Sequence, residues 1–368
     1  MRSTTRAATV AGIALAAVSS AAPALASPAP AGGVFVQANG PDGNTIVAYD
    51  RGLHRVASYP TGGRGGLETG AVADPLASQG SLTLDRQHHL LYAVNAGSDT
   101  VTVFGVRGDR LSRLQVLGSG GAFPVSVAVH GDLVYVLNAR DGGSIQGFRR
   151  VGDRLVRVPA WHRALGLDPA AAPEFTHSPG QVAFAPDGRQ LLVTTKANTN
   201  EIDVFAVDHL GGPSARPVRN PLPDAVPFAV DFDRWGHVLV AEAGPNAIAT
   251  FDLRRDGRLT ARSTAATGGA ATCWIVGANG TFYLSNAGSG TISAFRTRAD
   301  GSLRSLGSVT VGAGVIDAAT SADGRTLYAE TGADPDAVHA YAIDRDGSLH
   351  ATGTVTVPGG ATEGIAAS

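Results

Sequence analysis

The chain has 368 residues, with 29 basic and 31 acidic side chains, and its formal net charge is −2. A chain this close to neutral has no overall positive field to attract nucleic acid or anionic lipid, so those partners are disfavoured. Glycine is abundant, at 48 residues, while only 16% of the residues are charged, which favours short strands and tight turns over helices. The 43% hydrophobic content is sufficient for a large core and excludes a disordered chain.

The amino-terminal segment has the pattern of an export signal. Arg2 and Arg6 precede an uncharged, Ala-rich run that ends in the small-x-small triplet Ala24-Leu25-Ala26. We therefore predict a signal peptide over 1–26, a short linker over 27–33 and a secreted or extracytoplasmic product that does not associate with a membrane after cleavage. A retained membrane anchor is the alternative, although the run is only weakly apolar for a span.

An internal repeat predicts the fold. A β-branched residue followed three positions later by an aromatic residue occurs seven times, and the aromatic members are 44 to 57 residues apart. This spacing matches propeller blades of about 40–50 residues with two insertions. The seven pairs are Ile46/Tyr49, Val101/Phe104, Ile145/Phe148, Ile202/Phe205, Ile248/Phe251, Ile292/Phe295 and Val338/Tyr341.

Each copy reads as four antiparallel strands, the last two joined by a short Gly/Asp hairpin such as Gly108-Asp109 or Asp256-Gly257. The first copy begins at Gly33 without a preceding inner strand, and an apolar strand around Ile365 follows the seventh copy. We predict an all-β, seven-bladed β-propeller over 34–368, closed by the C-terminal strand, which completes the first blade. Closure removes the open sheet edges.

Two segments carry a family resemblance. The stretch from Ser178-Pro179-Gly180 to Asp187-Gly188-Arg189 and the stretch from Tyr283 to Ile292 resemble the lactonase family of seven-bladed propellers, which includes propeller-type phosphogluconolactonases and carboxymuconate cyclases. The resemblance covers essentially all of the mature chain and implies opening or closing of a lactone ring. Family members tend to carry a Pro-His pair on the inner strands, where this sequence has Pro124-Val125, Pro179-Gly180 and Pro227-Phe228.

A propeller forms its ligand face where the inner strands begin and where each second strand turns into the third. The two insertions in the period, at 61–78 and 159–177, both precede an inner strand and are predicted to lie over this face. They are either rims or lids of a site, or surface loops without a ligand.

Lactone hydrolysis requires a base that activates water and a donor or cation that stabilises the oxyanion. Several polar residues are predicted to surround the mouth of the central channel. Glu242 or Glu330 is the candidate base, Lys196 the electrostatic stabiliser, and Gln181 or Asn286 an orienting donor. Further substrate-binding candidates are Gln79, Asn138, His177 and Glu363. The alternative for each residue is that it ends a strand and binds channel water.

The remaining reactive side chains give weaker signals. Cys273 is the only cysteine, so no internal disulfide forms, and the thiol is predicted to be a small core residue. His88 and His89 are adjacent in extended backbone and point apart, which disfavours a shared metal site. No cofactor is required by this interpretation, and a divalent metal held by carboxylates that converge in the folded ring is a further alternative.

The sequence therefore predicts an exported, lactonase-like monomer that hydrolyses or forms a small lactone or cyclic ester. The alternative is a non-catalytic secreted propeller that binds a cell-envelope polymer or protein through its top face. The two hypotheses differ in geometry, since an enzyme needs a narrow concave mouth with Lys196 and a carboxylate near one substrate.

Overall fold

The structure is a computed structural model that describes residues 32–333, 335–359 and 361–368, together with positions 1, 4, 7 and 8. Apart from those four positions, the predicted signal peptide lies outside the described residues, as does most of the predicted linker. No helix within the described ranges is long and apolar enough to cross a bilayer.

The described chain forms seven four-stranded antiparallel sheets arranged as the blades of a propeller, as predicted. Blades 1 to 3 contain β1 (Gly33–Ala38), β2 (Thr45–Asp50) and β3 (Arg55–Pro60); β4 (Leu82–Asp85), β5 (Leu90–Asn95), β6 (Thr100–Arg107) and β7 (Arg110–Gly118); and β8 (Pro124–His130), β9 (Leu133–Asn138), β10 (Ser144–Val151) and β11 (Arg154–Ala164). Blades 4 and 5 contain β12 (Val182–Phe184), β13 (Gln190–Thr194), β14 (Glu201–Ala206) and β15 (Val218–Pro221); and β16 (Pro227–Phe232), β17 (His237–Glu242), β18 (Ala247–Leu253) and β19 (Leu259–Ala266). Blades 6 and 7 contain β20 (Thr272–Ala278), β21 (Thr281–Asn286), β22 (Thr291–Thr297) and β23 (Leu303–Thr310); and β24 (Val315–Thr320), β25 (Thr326–Thr331), β26 (Ala337–Ile343) and β27 (Leu349–Thr356).

Within the described residues, helix is confined to three single turns, a 3-10 turn at Ala96–Ser98, α1 (Glu174–His177) and α2 (Lys196–Thr199). The C-terminal strand β28 (Thr362–Ala367) pairs with β1 and is the inner strand of blade 1. This confirms the predicted closure of the ring. The aromatic residue of each repeat pair lies on the third strand of its blade and is buried, because apolar side chains from neighbouring blades pack around it.

Gly364 lies at the closure of the ring, where β28 packs against blade 2. A Cβ atom at this position would overlap Ser81 Oγ and lie 3.2 Å from the backbone nitrogen of Leu82. We expect Gly364→Ala to lower the free energy of unfolding by about 1–3 kcal/mol, because overpacking displaces the closing strand. Urea-induced unfolding measures this change. Gly353→Ala is the matched control, since nothing lies within 4 Å of its Cβ position, and an equal loss in both variants would contradict the prediction.

Candidate functional site

A cavity of about 440 Å³ lies on the face of the ring where the inner strands begin. Its floor comes from the starts of inner strands and the ends of second strands in blades 5 to 7, and its wall comes from both insertions. We call it cavity A. The lining residues on the insertions are Val72, Ala73, Asp74, Ala77, Phe175 and Thr176, and those on the blades include Lys196, Val226, Phe228, Ala243, Ala271, Cys273, Trp274, Ala287 and Ala313.

Most of the surface of cavity A is apolar. The rings of Phe228 and Trp274 contact each other with centroids 4.9 Å apart. Cys273 is part of the lining, and burial raises the pKa of its thiol to about 12, so the thiol stays protonated and uncharged. The ionisable groups that remain are Asp74 and Lys196, and cavity A is therefore an apolar space with one acid and one amine in its wall.

Lys196 joins both insertions to blade 4. Its Nζ donates to the backbone oxygens of Ala77 and Phe175, at 2.7 Å each, and to Ser178 Oγ at 2.8 Å. Nζ also lies 3.9 Å from Glu68 Oε2, and both of these side chains are almost completely buried. Burial lowers the pKa of Lys196, while the charges of Glu68 and Asp74 raise it. The single lysine of the sequence thus sits at the junction of three segments.

Glu68 is the acid that faces Lys196. Its Oε2 accepts a hydrogen bond from Ser178 Oγ at 2.7 Å, so the hydroxyl bridges the carboxyl group and the amine. Burial raises the pKa of Glu68 to about 8, against the opposing charge of Lys196 and the hydrogen bond from Ser178. The pair is therefore close to the balance between an ion pair and two neutral groups.

Asp74 organises the segment that crosses the channel mouth. Its carboxylate accepts the backbone N–H groups of Leu76, Ala77 and Ser78 at 2.9–3.0 Å. Burial raises the pKa of Asp74, and a side-chain hydrogen bond from Glu363 lowers it. Asp74 is thus held in one orientation beside cavity A, with a second carboxyl group against it.

The acidic side chains continue beneath the mouth. Glu363 accepts from the Leu76 N–H, and burial next to Asp74 raises its pKa well above the ordinary value. Burial raises the pKa of Asp317 to about 8. Glu330 is completely buried, and neither carboxyl oxygen has a hydrogen-bond partner among the described residues. Burial, together with the charges of Asp317 and Asp74, raises the pKa of Glu330 well above its ordinary value.

Among the described residues, Lys196 forms an ion pair with Glu68 and none with either predicted base, Glu242 or Glu330. The charges that raise its pKa most are those of Glu68 and Asp74, both on the first insertion. Glu242 ends β17, beside Ala243 of cavity A, and burial alone raises its pKa to about 7. The roles of Lys196, Glu242 and Glu330 in catalysis stay predictions.

Four of the six predicted binding residues form two structural pairs. Gln79 and Gln181 cross-link inner strands. The side-chain amide of Gln79 exchanges two hydrogen bonds with the backbone of Ile275, and Gln181 Oε1 accepts from Val230 N at 2.6 Å. Asn138 and Asn286 are buried within their blades, where Asn138 Nδ2 lies 3.4 Å from Ser144 Oγ, and Asn286 bonds Thr272, Thr291 and Ser293. These contacts hold the frame of the mouth.

His177 ends α1, and its Nδ1 lies 2.9 Å from the backbone oxygen of Pro173. It lines a second cavity of about 450 Å³, which we call cavity B, between the second insertion and blade 3. Ser178 lines the same cavity, so the Lys196–Ser178–Glu68 cluster separates cavity B from cavity A.

Four non-glycine residues that line cavity A have a left-handed backbone. Ala77, Lys196, Val226 and Ala271 have φ values of 46°, 47°, 46° and 54°. The conformation is costly for a β-branched residue, and Val226 is held in it by the hydrogen bond from its N–H to Asn200 Oδ1 at 2.9 Å. Strained residues of this kind concentrate at functional sites, which supports cavity A as the candidate site.

Sequence reasoning missed Glu68 and Asp74. The signal was the presence of acidic residues in a Gly- and Ala-rich insertion already expected to cover the ligand face. Their partners could not be predicted from local patterns, because Ser178 is 110 residues from Glu68 and Lys196 is 119 residues from Ala77 in the sequence. Among the described residues, no group of three or more His, Cys, Asp or Glu side chains is arranged to hold a metal ion.

Comparison with known proteins supports the fold. No protein-family model and no curated protein matches the sequence. A candidate 6-phosphogluconolactonase from Bacteroides fragilis NCTC 9343 superposes with a TM-score of 0.70 at 16% identity, over 93% of this chain and 99% of that one. A similar candidate from Bacteroides uniformis ATCC 8492 gives 0.71 at 18% identity, over 92% and 99% of the two chains.

The periplasmic gluconolactonase of Pseudomonas aeruginosa superposes with a TM-score of 0.70 at 16% identity, over 91% of this chain and 98% of that chain. At these identities the likeness establishes the fold, and it extends over nearly the whole length of each protein. The chain is a seven-bladed β-propeller with the fold of the propeller-type lactonases.

Proposed function

We propose that the protein is an extracytoplasmic lactonase that opens a small, mainly apolar lactone or cyclic ester in cavity A. The observation that carries this proposal is an apolar cavity with Asp74 and Lys196 in its wall, on the ligand face of a lactonase-type propeller. A volume of about 440 Å³ falls in the range of small-molecule sites.

The lining of cavity A favours an aliphatic lactone over a phosphorylated sugar lactone. Among its described lining residues there is no arginine and no histidine, and Lys196 Nζ already donates to three acceptors. A phosphate dianion would therefore enter an apolar space without enough donors to replace its hydration. The rings of Phe228 and Trp274 suit the hydrocarbon part of a lactone instead.

In the proposed reaction, Asp74 takes a proton from a water molecule as the water oxygen attacks the carbonyl carbon of the lactone. A raised pKa makes the carboxylate a stronger base, and its three backbone donors keep it oriented. The positive charge of Lys196 stabilises the oxyanion of the tetrahedral intermediate. The ring C–O bond then breaks, and the leaving alkoxide receives the proton from Asp74.

Glu242 is the alternative base, because burial raises its pKa to about 7 and it lies next to the lining residue Ala243. Glu330 and Glu363 have pKa values well above the ordinary value and act as neutral acids in this scheme. We propose no cofactor and a monomeric enzyme. The export pattern of the sequence supports an extracytoplasmic location.

We expect Asp74→Asn to reduce kcat for lactone opening by about 10²–10⁴-fold, the usual contribution of a general base. The measurement is hydrolysis of a panel of aliphatic, sugar and phosphosugar lactones by the purified chain. Thermal unfolding of the variant is measured as well. The Asn side chain has an NH₂ group where Asp74 has Oδ2, so it cannot accept the hydrogen bond from the Ser78 N–H. Asp256→Asn, in an exposed hairpin, is the control. Loss of activity in Glu242→Gln but not in Asp74→Asn would move the base to Glu242.

A second candidate function is binding without catalysis. Leu67 and Val72 of the first insertion are 62% and 92% exposed, beside a depression of about 490 Å³ that they line together with Pro75 and Val357. Exposed apolar residues of this kind suit a macromolecular ligand on the top face. This function would be favoured if the chain turned over no lactone and bound cell-envelope material. The Val72→Asp variant should then lose that binding.

A further inference from the structure

The cluster between cavities A and B is a continuous hydrogen-bonded chain from an amine through a hydroxyl to a carboxyl group. Lys196 Nζ lies 2.8 Å from Ser178 Oγ, and this oxygen lies 2.7 Å from Glu68 Oε2. Lys196, Ser178 and Glu68 are 1%, 5% and 0% exposed. The serine is therefore fixed between a base and an acid.

Two proton arrangements satisfy every hydrogen bond of this chain. In the first, the Lys196 ammonium donates to Ala77 O, Phe175 O and Ser178 Oγ, and Ser178 donates to the Glu68 carboxylate. In the second, a neutral Lys196 keeps both backbone bonds and accepts from Ser178, while a protonated Glu68 donates to Ser178. Passing from the first arrangement to the second, one proton moves from Lys196 Nζ to Ser178 Oγ and one from Ser178 Oγ to Glu68, so the number of protons is unchanged.

Burial destabilises the first arrangement, because both of its charges lie in a region of low dielectric constant, and the neutral arrangement is therefore populated beside the ion pair. The pKa of Lys196 is lowered and that of Glu68 is raised, which agrees with this direction. In the neutral arrangement the hydroxyl proton of Ser178 points at an unprotonated amine. This is the relation of a nucleophile to its general base in serine–lysine acyl-transfer sites.

Ser178 is also in contact with a space that could hold a substrate. It lines cavity B, whose wall includes Thr69, Arg140, His177 and Asn198. Arg140 Nε donates to Glu174 at 2.6 Å, which pairs its charge, and the other groups are hydrogen-bonding side chains. Cavity B is thus more polar than cavity A and suits a small ester that carries hydroxyl or amide groups.

We propose that Ser178 is a nucleophile with Lys196 as its base, forming a second acyl-transfer site that takes small polar carboxylic esters from cavity B. Ser178 Oγ forms a bond to the carbonyl carbon while its proton passes to Lys196 Nζ. The ester C–O bond breaks, and the alkoxide leaves with that proton. Water then attacks the acyl group, gives one proton to Nζ, and the released Ser178 oxygen takes it back. The two proposed sites share Lys196. Acylation of Ser178 uses its neutral form and the oxyanion in cavity A its ammonium form, so acylation does not require lactone opening.

The test is covalent labelling of the full purified chain by two serine-directed reagents of different size, phenylmethylsulfonyl fluoride and an alkyl fluorophosphonate. Ser178 Oγ bonds to sulfur or phosphorus, fluoride leaves, and the hydroxyl proton passes to Lys196. We expect one adduct per chain, located at Ser178 by peptide mass spectrometry, and no adduct in Ser178→Ala. Glu68→Gln is expected to change the pH dependence of the labelling rate, because it removes the acid that exchanges a proton with Lys196.

Ser119→Ala is the matched control, since Ser119 is equally buried and its Oγ donates only to a loop carbonyl. It should label as the unmodified chain does. Labelling is measured without any lactone turnover, which separates this proposal from the one for cavity A. Unfolding curves confirm that each variant is folded. If neither reagent modifies Ser178 in the folded, unmodified chain, the hydroxyl is only a structural bridge and the proposal is overturned.

Discussion

Replacing Glu330 by glutamine is expected to raise the free energy of unfolding at pH 8 and to leave it nearly unchanged at pH 4. The folded state holds Glu330 protonated, because burial and neighbouring acids raise its pKa well above the ordinary value. The unfolded state ionises near pH 4, and each unit of difference corresponds to about 1.4 kcal/mol. Glutamine has nearly the same size and does not ionise. The free-energy cost of keeping Glu330 protonated in the folded state at pH 8 is therefore absent in the variant.

The direction in which stability changes with pH follows from the number of protons bound in the folded and unfolded states. Between pH 4 and pH 8 the Glu330 carboxyl binds more protons in the folded state than in the unfolded state, so its contribution to stability falls as pH rises. Buried acids with raised pKa values contribute in the same direction, including Asp317 and Glu68 at about 8, Glu242 at about 7 and Asp231 at about 6. The intact chain is therefore expected to be more stable at pH 5 than at pH 8.

The measurement is urea-induced unfolding of the intact chain and of Glu330→Gln at pH 4, 6 and 8. Asp153→Asn is the control, because this side chain is exposed in the hairpin after β10 and should not alter the slope with pH. A Glu330→Gln variant that is less stable than the intact chain at pH 8 would show that Glu330 is ionised and paired with a cation.

Lys196→Met is expected to lower the free energy of unfolding by about 3–5 kcal/mol at pH 7, the usual cost of removing one member of a buried pair. The substitution leaves the backbone oxygens of Ala77 and Phe175 and the hydroxyl of Ser178 without their common donor. It also removes the link that ties both insertions to blade 4. Cleavage of the 61–78 segment by a protease should therefore accelerate.

Urea-induced unfolding and limited proteolysis measure these effects. The double variant Lys196→Met with Glu68→Gln is expected to lose less stability than the sum of the two single variants, because no uncompensated charge remains. Arg258→Met is the control, since this exposed side chain lies 3.9 Å from Asp256 and such surface pairs contribute about 0–1 kcal/mol. Equal losses in Lys196→Met and Arg258→Met would show that the buried cluster does not hold the insertions.

The candidate site was predicted only in part. Lys196 was identified because it follows a second strand, and both insertions were placed over the ligand face. Lys196 forms no ion pair with Glu242 or Glu330, which lie at the ends of second strands in other blades, and their catalytic roles stay predictions. The partners of Lys196 are Glu68, Ser178 and the backbone of Ala77. Glu68 and Ala77 lie on the first insertion, where no repeat indicates their position, and Ser178 precedes the inner strand of blade 4.

The sequence by itself determined the seven blades, their four strands and the closure by the C-terminal strand. These features depend on local patterns, namely alternating apolar residues, aromatic residues at a fixed offset and glycines in hairpins, which act within each blade of about 45 residues. Only the tertiary structure decided which acids meet Lys196, how the 74–79 segment crosses the mouth and where cavities A and B lie. These features arise from packing of irregular loops across the ring, and the energy of such contacts depends on burial that no local pattern encodes.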